Sequence, residues 1–291
     1  NEKAVKGVYA AKGRPSDNPL IVTVSDEKMM ENYVNEVPER AKKLIKHFWP
    51  GPLTIILFVK EGTLPDAVTG GLPTAAFRCP DDEMTHDLIS ELGKPIVGPS
   101  ANTSTKPSPT TAEHVYHDLK GKIAGIIDNG PTKIGLESTI VDLSVETPTV
   151  LRPGEITPEE ISKVLGEEVL MNKGTTQTKG VPKAPGMKYR HYAPSAPVFI
   201  VDKEADFSKI KWDKETGVAA LDEVLDKIDS SNKYSLGKTI DKAAHNLFGA
   251  LRYFDSENNI KRIYVQGFDH GAISPAYMNR LNKAAAGHHF H

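Results

Sequence analysis

Four short polar segments lie at the ends of apolar runs, and their residue types suit the binding of a phosphorylated ligand. The segments are Lys12-Gly13-Arg14-Pro15, Gly98-Pro99-Ser100-Ala101-Asn102, Ser138-Thr139-Ile140-Val141-Asp142 and Leu151-Arg152-Pro153-Gly154. Lysine and arginine balance phosphate charge, while glycine, alanine and serine allow backbone N–H groups to come close to it. The pattern indicates an enzyme that handles a nucleotide.

Three cations in these segments are candidates for a triphosphate site, which needs several positive charges on rigid supports. Lys12 and Arg14 flank Gly13, so both side chains can reach one phosphate group from a tight turn. Arg152 ends an apolar, β-rich run. The alternatives are a solvated helix end, where basic residues are favoured, for the first two cations and an ordinary surface position for Arg152.

Neutral hydrogen-bonding groups accompany these cations. Ser100, Ala101 and Asn102 lie in a stretch without acidic residues, from 97 to 112, that is rich in serine, threonine and proline. Such a loop can present hydroxyl, amide and backbone donors to phosphate or ribose without repelling them. Ser138 precedes another β-rich run and offers a further hydroxyl. An ordinary surface loop and a hydrogen-bonded turn are the alternatives.

Arg78 is the candidate for binding a second anion. It follows the apolar Ala75-Ala76-Phe77, and a planar guanidinium can bind a carboxylate through two hydrogen bonds. A structural ion pair is the alternative. Cys79, the next residue, is the only cysteine, so an intrachain disulfide and a cysteine-cluster zinc site are excluded. We expect Cys79 to be a small buried residue rather than a nucleophile.

Composition sets the protein class. The 291 residues are enough for two domains, and 38% hydrophobic with 25% charged residues is typical of a globular protein. The net charge of −2 provides no overall positive field, so an anion site must be built locally. The apolar runs are too short to span a bilayer and no signal peptide is visible, which favours the cytoplasm.

Helices and strands alternate irregularly, which favours an α/β sheet domain followed by a second, smaller α/β domain. The predicted helices are 2–12, 29–47 with an interruption at Pro38, 83–92, 112–119, 158–165, 238–254 and 275–286. The predicted strands are 20–24, 53–59, 75–78, 96–98, 125–128, 139–143, 149–151, 198–201, 218–221 and 263–265. The C-terminal elements predict a small parallel Rossmann-like domain with a structural or interaction role.

A basic segment separates the two predicted domains. Residues 169–201 contain no acidic residue, and their glycines, prolines and threonines are typical of a linker. Tyr189, His191 and Tyr192 carry amphipathic rings, which favour docking onto a site over simple spacing. We therefore predict a catalytic domain at 1–172, a linker or lid at 173–196 and a C-terminal α/β domain at 197–291.

The same motifs carry a family resemblance. They are K-G-R at 12–14, S-A-N at 100–102, S-T-I-V-D at 138–142, L-R-P-G at 151–154 and P-G-M-K-Y-R-H-Y-A-P at 185–194. In this order they resemble the YrdC-type L-threonylcarbamoyladenylate synthases in their long form, which has an extra C-terminal domain. The resemblance is close over residues 1–196. It implies a twisted, mixed sheet with a concave surface in a YrdC-like catalytic domain.

The resemblance also implies roles for individual residues. Lys12 and Arg14 are the expected catalytic residues. The expected ATP-binding residues are Lys12, Arg14, Ser100, Ala101, Asn102, Ser138, Arg152 and His191. Arg78 is expected to bind the carboxylate of L-threonine, with Ser138 near both substrates. Tyr189, Arg190 and Tyr192 are expected in a lid over the nucleotide.

The implied reaction needs no enzyme nucleophile. The amine of L-threonine captures bicarbonate or CO2, and the resulting carbamate attacks the α-phosphate of ATP, releasing pyrophosphate. Mg²⁺ is expected on the phosphates, without a protein metal site. The product serves tRNA threonylcarbamoyladenosine modification, so hand-off to a downstream tRNA threonylcarbamoyl transferase and contact with tRNA are further expectations.

Two features depart from the family pattern. A strand with a T-E-T-V-Y-G-L-G-like motif is expected before Asn1, so we expect residues to be missing from the start of the sequence. The family often has a histidine where Thr23 stands, and threonine offers only a hydroxyl to the substrate.

Two other functions remain open. One is a non-catalytic RNA-binding module, whose affinity would fall steeply with salt in the absence of ATP, whereas the enzyme would be stabilised by ATP. The other is carbamoyl transfer to a different acceptor, which exchanging the amino acid in an assay would reveal.

Overall fold

The polar segments are distributed over two compact units in a computed structural model that describes residues 1–172, 182–183, 191–257 and 259–291. The first unit comprises Asn1–Ser100 and Glu137–Lys188, and the second comprises Ala101–Leu136 and Tyr189–His291. Residues 101–136 therefore group with the C-terminal residues. Most of the proposed linker at 173–196 lies outside the described residues, so the predicted domain boundaries stay predictions.

The described helices are α1 (Glu2–Lys12), α2 (Glu27–Glu31), α3 (Glu39–Phe48), α4 (Asp66–Thr69), α5 (Glu83–Leu92), α6 (Ala112–Leu119), α7 (Pro158–Leu165), α8 (Asp222–Leu225), α9 (Ile240–Ser256) and α10 (Ser274–Ala284), with a 3-10 helix at Glu204–Lys209. The strands are β1 (Val22–Thr23), β2 (Leu53–Phe58), β3 (Thr74–Arg78), β4 (Ile96–Val97), β5 (Thr139–Asp142), β6 (Thr149–Arg152), β7 (Leu170–Met171), β8 (Val198–Val201), β9 (Thr216–Ala220), β10 (Lys233–Ser235), β11 (Arg262–Gln266) and β12 (His289–Phe290).

Local signals define the first helix. The side chain of Asn1 accepts a hydrogen bond from the Ala4 N–H, which caps α1, and the helix ends at Gly13. Gly13 has φ 63°, a left-handed conformation that glycine adopts without steric cost. The predicted helix is confirmed, and its C-terminal turn separates Lys12 from Arg14.

The first unit contains a mixed sheet of seven strands in the order β4-β1-β3-β2-β5-β6-β7. Parallel pairs (β1 with β3, β2 with β5, β6 with β7) alternate with antiparallel pairs (β4 with β1, β3 with β2, β5 with β6). One face packs into a large apolar core that includes Val22, Ile55, Phe77, Val141 and Val150. The expected twisted, mixed sheet is confirmed.

The second unit contains a parallel sheet of five strands in the order β10-β9-β11-β8-β12. One apolar cluster on this sheet includes residues of α9 and α10, and another includes Phe207, Val224 and Ile228. Both faces are therefore buried, as is usual for parallel sheets, and β9 is buried along its whole length. The predicted small parallel domain is confirmed.

Some predicted elements differ from the structure. Residues 125–128 form no strand, and Ile127 is 67% exposed, because no neighbouring strand pairs with this short apolar run. The predicted long helix is divided into α2 and α3, and Pro38 immediately precedes α3, as its fixed φ favours. Three strands of two or three residues, β7, β10 and β12, were not predicted because such short runs carry no periodicity.

Within the described ranges, no helix combines the length and apolar character required to cross a membrane.

Candidate functional site

A row of paired residues crosses five strands of the first sheet. Thr23 of β1 pairs with Arg78 of β3, which pairs with Thr54 of β2. Thr54 pairs with Ile140 of β5, and Ile140 pairs with Arg152 of β6. Side chains that are paired directly across strands lie on the same face of a sheet. We call Thr23, Arg78, Thr54, Ile140 and Arg152 the polar row.

The polar row lies on the face opposite the large core. The neighbouring residues Val22, Phe77 and Ile55 belong to that core, and successive side chains of a strand point to opposite faces. On the face of the polar row, apolar packing is limited to a small cluster of Ile21, Ile56, Ala76 and Ile140 with Leu151. One face of the sheet therefore stabilises the fold, and the other presents two arginines and two hydroxyls.

A β-bulge directs Arg152 to this face. The register between β5 and β6 shifts, so that Val141 pairs with Val150 whereas Ile140 pairs with Arg152. In a regular strand, Arg152 would share the core-facing side of Val150, two residues earlier. The additional residue, Leu151, reverses this alternation and places the guanidinium beside Ser138.

Arg152, Ser138 and Thr54 form one hydrogen-bonded group. Arg152 donates to the Ser138 carbonyl from Nε (3.0 Å) and Nη2 (2.9 Å), and Nη2 also lies 3.1 Å from the Ser138 Oγ. The Ser138 and Thr54 hydroxyls are 2.7 Å apart. Sequence reasoning missed Thr54, although a buried polar residue within Leu53-Thr54-Ile55-Ile56 is a recognisable signal.

Arg78 lies on β3, the third of the seven strands, and is held there by two hydrogen bonds. Its Nε donates to the Thr23 Oγ1 (3.2 Å) and its Nη2 to the Gly98 carbonyl (2.7 Å). A Cβ at Gly98 would lie 3.3 Å from Nη2, so glycine allows this close approach. Burial lowers the pKa of Arg78 and Glu137 opposes this shift, but an arginine side chain stays protonated.

Arg78 keeps donors for a further partner. A guanidinium carries five N–H groups, and the described part of the chain engages only those at Nε and Nη2 named above. Arg78 and Arg152 lie on β3 and β6, which β2 and β5 separate. At about 4.8 Å per strand, their backbones are about 14 Å apart, which leaves room for two different ligand groups.

Lys12 and Arg14 hold backbone carbonyls of the first unit. Lys12 is buried at the end of α1, and its Nζ donates to the carbonyl of Ser100. Arg14 donates to the Pro19 carbonyl (3.0 Å) and to the Asn18 carbonyl. The structure thus brings the first two sequence motifs together through Lys12 and Ser100.

The remaining candidate residues belong to the second unit or lie outside the described residues. Asn102 is buried, and its amide donates to the carbonyls of Thr103 (2.8 Å) and Lys106 (3.1 Å). His191 is partly buried beside the buried Tyr192, whose ring packs on Phe248 at 5.0 Å. Ala101 also belongs to the second unit, whereas Tyr189 and Arg190 lie outside the described residues. A single site formed by all these residues stays a prediction.

The described residues offer little to a divalent cation. They contain no group of three or more histidine, cysteine, aspartate or glutamate side chains arranged to hold a metal ion. Mg²⁺ prefers oxygen ligands and retains several waters, so phosphate oxygens and water would have to supply its coordination.

Two family models together match nearly the whole chain. A model described as "Telomere recombination", for the Sua5, YciO and YrdC proteins, matches residues 1–154. A second, described as "Threonylcarbamoyl-AMP synthase, C-terminal domain", matches residues 156–286.

Individual relatives match over similar lengths. The threonylcarbamoyl-AMP synthase of Bacillus subtilis is 45% identical, with 99% of this chain and 85% of the relative covered. That of Pyrococcus abyssi is 44% identical, with 98% and 85% covered. The crystal structure of P. abyssi Sua5 complexed with L-threonine matches with a TM-score of 0.90 and 42% identity, over 100% of this chain and 87% of that one.

Proposed function

The chain belongs to the threonylcarbamoyl-AMP synthase family in the form that carries the C-terminal domain, and from this premise we propose its reaction. It forms threonylcarbamoyl-AMP and pyrophosphate from L-threonine, bicarbonate or CO2, and ATP. The observation that carries this proposal is the polar row, in which Arg78 and Arg152 lie on one face of a sheet, three strand spacings apart.

The amino-acid subsite lies at Arg78. Its two hydrogen bonds, to Thr23 and Gly98, fix the guanidinium plane while other N–H groups remain for the carboxylate of L-threonine. In this chain Thr23, where the family often has a histidine, therefore orients the arginine. The relative whose crystal structure contains L-threonine supports a threonine site in this fold.

The nucleotide subsite uses Arg152, Ser138, Lys12, Arg14 and Ser100. Arg152 fixes the Ser138 backbone and hydroxyl, so that this hydroxyl lies between Thr54 and the guanidinium. Ser138 is therefore suited to contact the region where the two substrates meet. Ala101, Asn102 and His191 complete the proposed ATP contacts.

The substrates supply the reacting groups, so the protein contributes position and charge. The threonine nitrogen forms a bond to the CO2 carbon and loses a proton to solvent or bicarbonate. A carbamate oxygen then forms a bond to the α-phosphorus, and the bond from that phosphorus to the bridging oxygen breaks as pyrophosphate leaves. Fixed cations offset the charge that moves onto the leaving group, and the two subsites hold the reactants in line.

The proposal also includes a metal ion, a downstream partner and a compartment. Mg²⁺ bound to the triphosphate would neutralise part of its charge. The product is a mixed anhydride that water can hydrolyse, so we propose that it passes to a downstream tRNA threonylcarbamoyl transferase and that the protein itself contacts tRNA. The cytoplasm is the proposed compartment.

Pyrophosphate release tests the proposal when each substrate is omitted in turn. We expect release only when L-threonine, bicarbonate and ATP with Mg²⁺ are all present, and loss of release when glycine replaces L-threonine. Release that continues without L-threonine contradicts the proposal. Failure to bind ATP, together with salt-sensitive RNA binding, would favour the RNA-binding alternative.

A further inference from the structure

Residues 103–108, which follow Asn102 directly, are held by the C-terminal helix α9 and by residues just before β8. We call Thr103–Ser108 the anchor loop. All its contacts described below lie within the second unit. Because the proposed ATP contacts Ala101 and Asn102 immediately precede this loop, whatever fixes the loop also fixes them.

Arg252 of α9 makes the central contact. Its guanidinium lies 3.1 and 2.9 Å from the two carboxylate oxygens of Asp118 on α6, and both side chains are buried, 8% and 5% exposed. The same guanidinium donates to the carbonyls of Pro107 (2.6 Å) and Ser108 (3.3 Å). Arg252 therefore links α6 to the C-terminal end of the anchor loop.

Asp118 extends this link to the start of the loop. The backbone N–H of Thr103 donates to its Oδ2 (2.9 Å), directly after Asn102. Burial would raise the pKa of Asp118, but hydrogen bonds from Arg252, His117 and the Thr103 backbone outweigh it and lower the pKa to about 2. The carboxylate is therefore ionised at neutral pH and accepts all these hydrogen bonds.

The middle of the loop has a second anchor on the same helix. Lys106 donates to Asp255 of α9 (2.9 Å) and to the Ser195 Oγ (2.8 Å). The Ala193 N–H donates to the carbonyl of Thr105 (2.9 Å). Thr105 itself has φ 78°, which is unfavourable for a β-branched residue and is maintained only by such surrounding contacts.

Asn102 forms hydrogen bonds to the backbone of the anchor loop. Its amide donates to the carbonyls of Thr103 and Lys106, so the orientation of Asn102 depends on where those carbonyls lie. Thr103 is fixed through Asp118 and Arg252, and Lys106 through Asp255. Side chains of α9 thus hold the two residues whose carbonyls accept from the Asn102 amide, directly at Lys106 and through Asp118 at Thr103.

We propose that Arg252 is a positioning residue for ATP binding, because it holds the loop that follows Ala101 and Asn102 within the same unit. This inference rests on the proposed function, because it takes Ala101 and Asn102 as ATP contacts. Arg252 touches no substrate and acts through the anchor loop. Its loss therefore changes the affinity for ATP rather than the affinity for L-threonine.

The test compares Arg252→Lys with Arg262→Lys in the full chain. Lysine keeps a positive charge near Asp118 but cannot bind Asp118, Pro107 and Ser108 together. Arg262 is a matched control, since its hydrogen bonds within the described residues go to Asp213 and Thr216 of the same unit rather than to the anchor loop. For Arg252→Lys we expect the KM for ATP to rise about tenfold or more, and the KM for L-threonine to stay within about twofold.

A merely structural role predicts a different result. It would lower the melting temperature and the active fraction, hence kcat, while leaving both KM values unchanged. The proposal is overturned if the KM for ATP of Arg252→Lys stays within about twofold of that of Arg262→Lys. A second variant, Lys106→Met, serves if Arg252→Lys folds poorly, because Lys106 is more exposed than Arg252. The KM for ATP of Lys106→Met should rise about threefold, and the proposal is overturned if it does not rise.

Assays of the wild-type protein distinguish failure of this inference from failure of the proposed function. If wild type releases pyrophosphate without L-threonine, the proposed reaction is wrong. If wild type requires all three substrates and Arg252→Lys behaves like the control, only the positioning role is wrong.

Discussion

The two sheets of this chain use their faces differently. Both faces of the parallel sheet in the second unit are buried under apolar clusters. The mixed sheet of the first unit buries one face in a large core and carries Thr23, Arg78, Thr54 and Arg152 on the other. A sheet with two buried faces offers neither face to a polar ligand, although its strand ends can still bind one. The first sheet therefore carries a row of charged and hydroxyl side chains across one face, whereas apolar clusters cover both faces of the second sheet.

The largest expected effect concerns the two cations of the first motif. We expect Lys12→Ala and Arg14→Ala each to reduce kcat/KM by about two orders of magnitude or more, because charge-stabilising donors are lost. Arg262→Ala, in the second sheet, is the control and should change kcat/KM by less than about twofold. Equal activity in all three variants, measured by pyrophosphate release, would show that Lys12 and Arg14 have no part in the reaction.

A smaller effect is expected from the hydroxyl pair. Thr54→Val removes the partner of the Ser138 hydroxyl and should reduce kcat/KM about three- to tenfold. Thr139→Val is the matched control, since its buried hydroxyl donates only to the Ile156 carbonyl, 2.7 Å away on the core side. Both variants should lose about 1–3 kcal/mol of stability. If kcat/KM falls equally in both, Thr54 has no role beyond stability.

These residues also mark the limit of sequence reasoning. Asn1, Gly13 and Pro38 begin or end helices through their effect on adjacent residues. The limits of α1 and the start of α3 could therefore be predicted from the local sequence. The approach of Arg152 to Ser138 depends on a bulge in strand pairing, which no local pattern reveals. The strand predicted at residues 125–128 was wrong for the same reason, because a strand requires a partner strand to pair with. The grouping of 101–136 with C-terminal residues rests on long-range pairs such as Asp118 with Arg252.

Acid should weaken the second unit through Asp118. Its folded-state pKa of about 2 is below the ordinary 3.8, so its contribution is complete at pH values above 3.8 and is lost as the pH falls toward 2. We expect Asp118→Asn to reduce the melting temperature at pH 7 and to flatten its decline between about pH 4 and pH 2. Identical declines in wild type and variant would show that Asp118 is not paired as described.

The smallest effect is expected at Cys79, which was predicted to be a small buried residue. It is buried, and its Sγ donates to the Ser25 carbonyl at 3.2 Å. Burial, and to a lesser extent Asp26, raises the pKa of its thiol to about 11, so roughly one thiol in a thousand is ionised at pH 8. Cys79→Ala should keep activity within about twofold, and the native thiol should resist iodoacetamide. Rapid alkylation with loss of activity would reassign it to the site.

The most direct test of the polar row is calorimetric titration of L-threonine and of ATP into wild type, Arg78→Lys and Arg152→Lys. Arg78→Lys should weaken L-threonine binding by about tenfold or more and leave ATP binding unchanged, whereas Arg152→Lys should do the reverse. This separation is predicted because the two guanidinium groups lie three strand spacings apart on one face. If both variants bind both ligands as tightly as wild type, the polar row is not the substrate site.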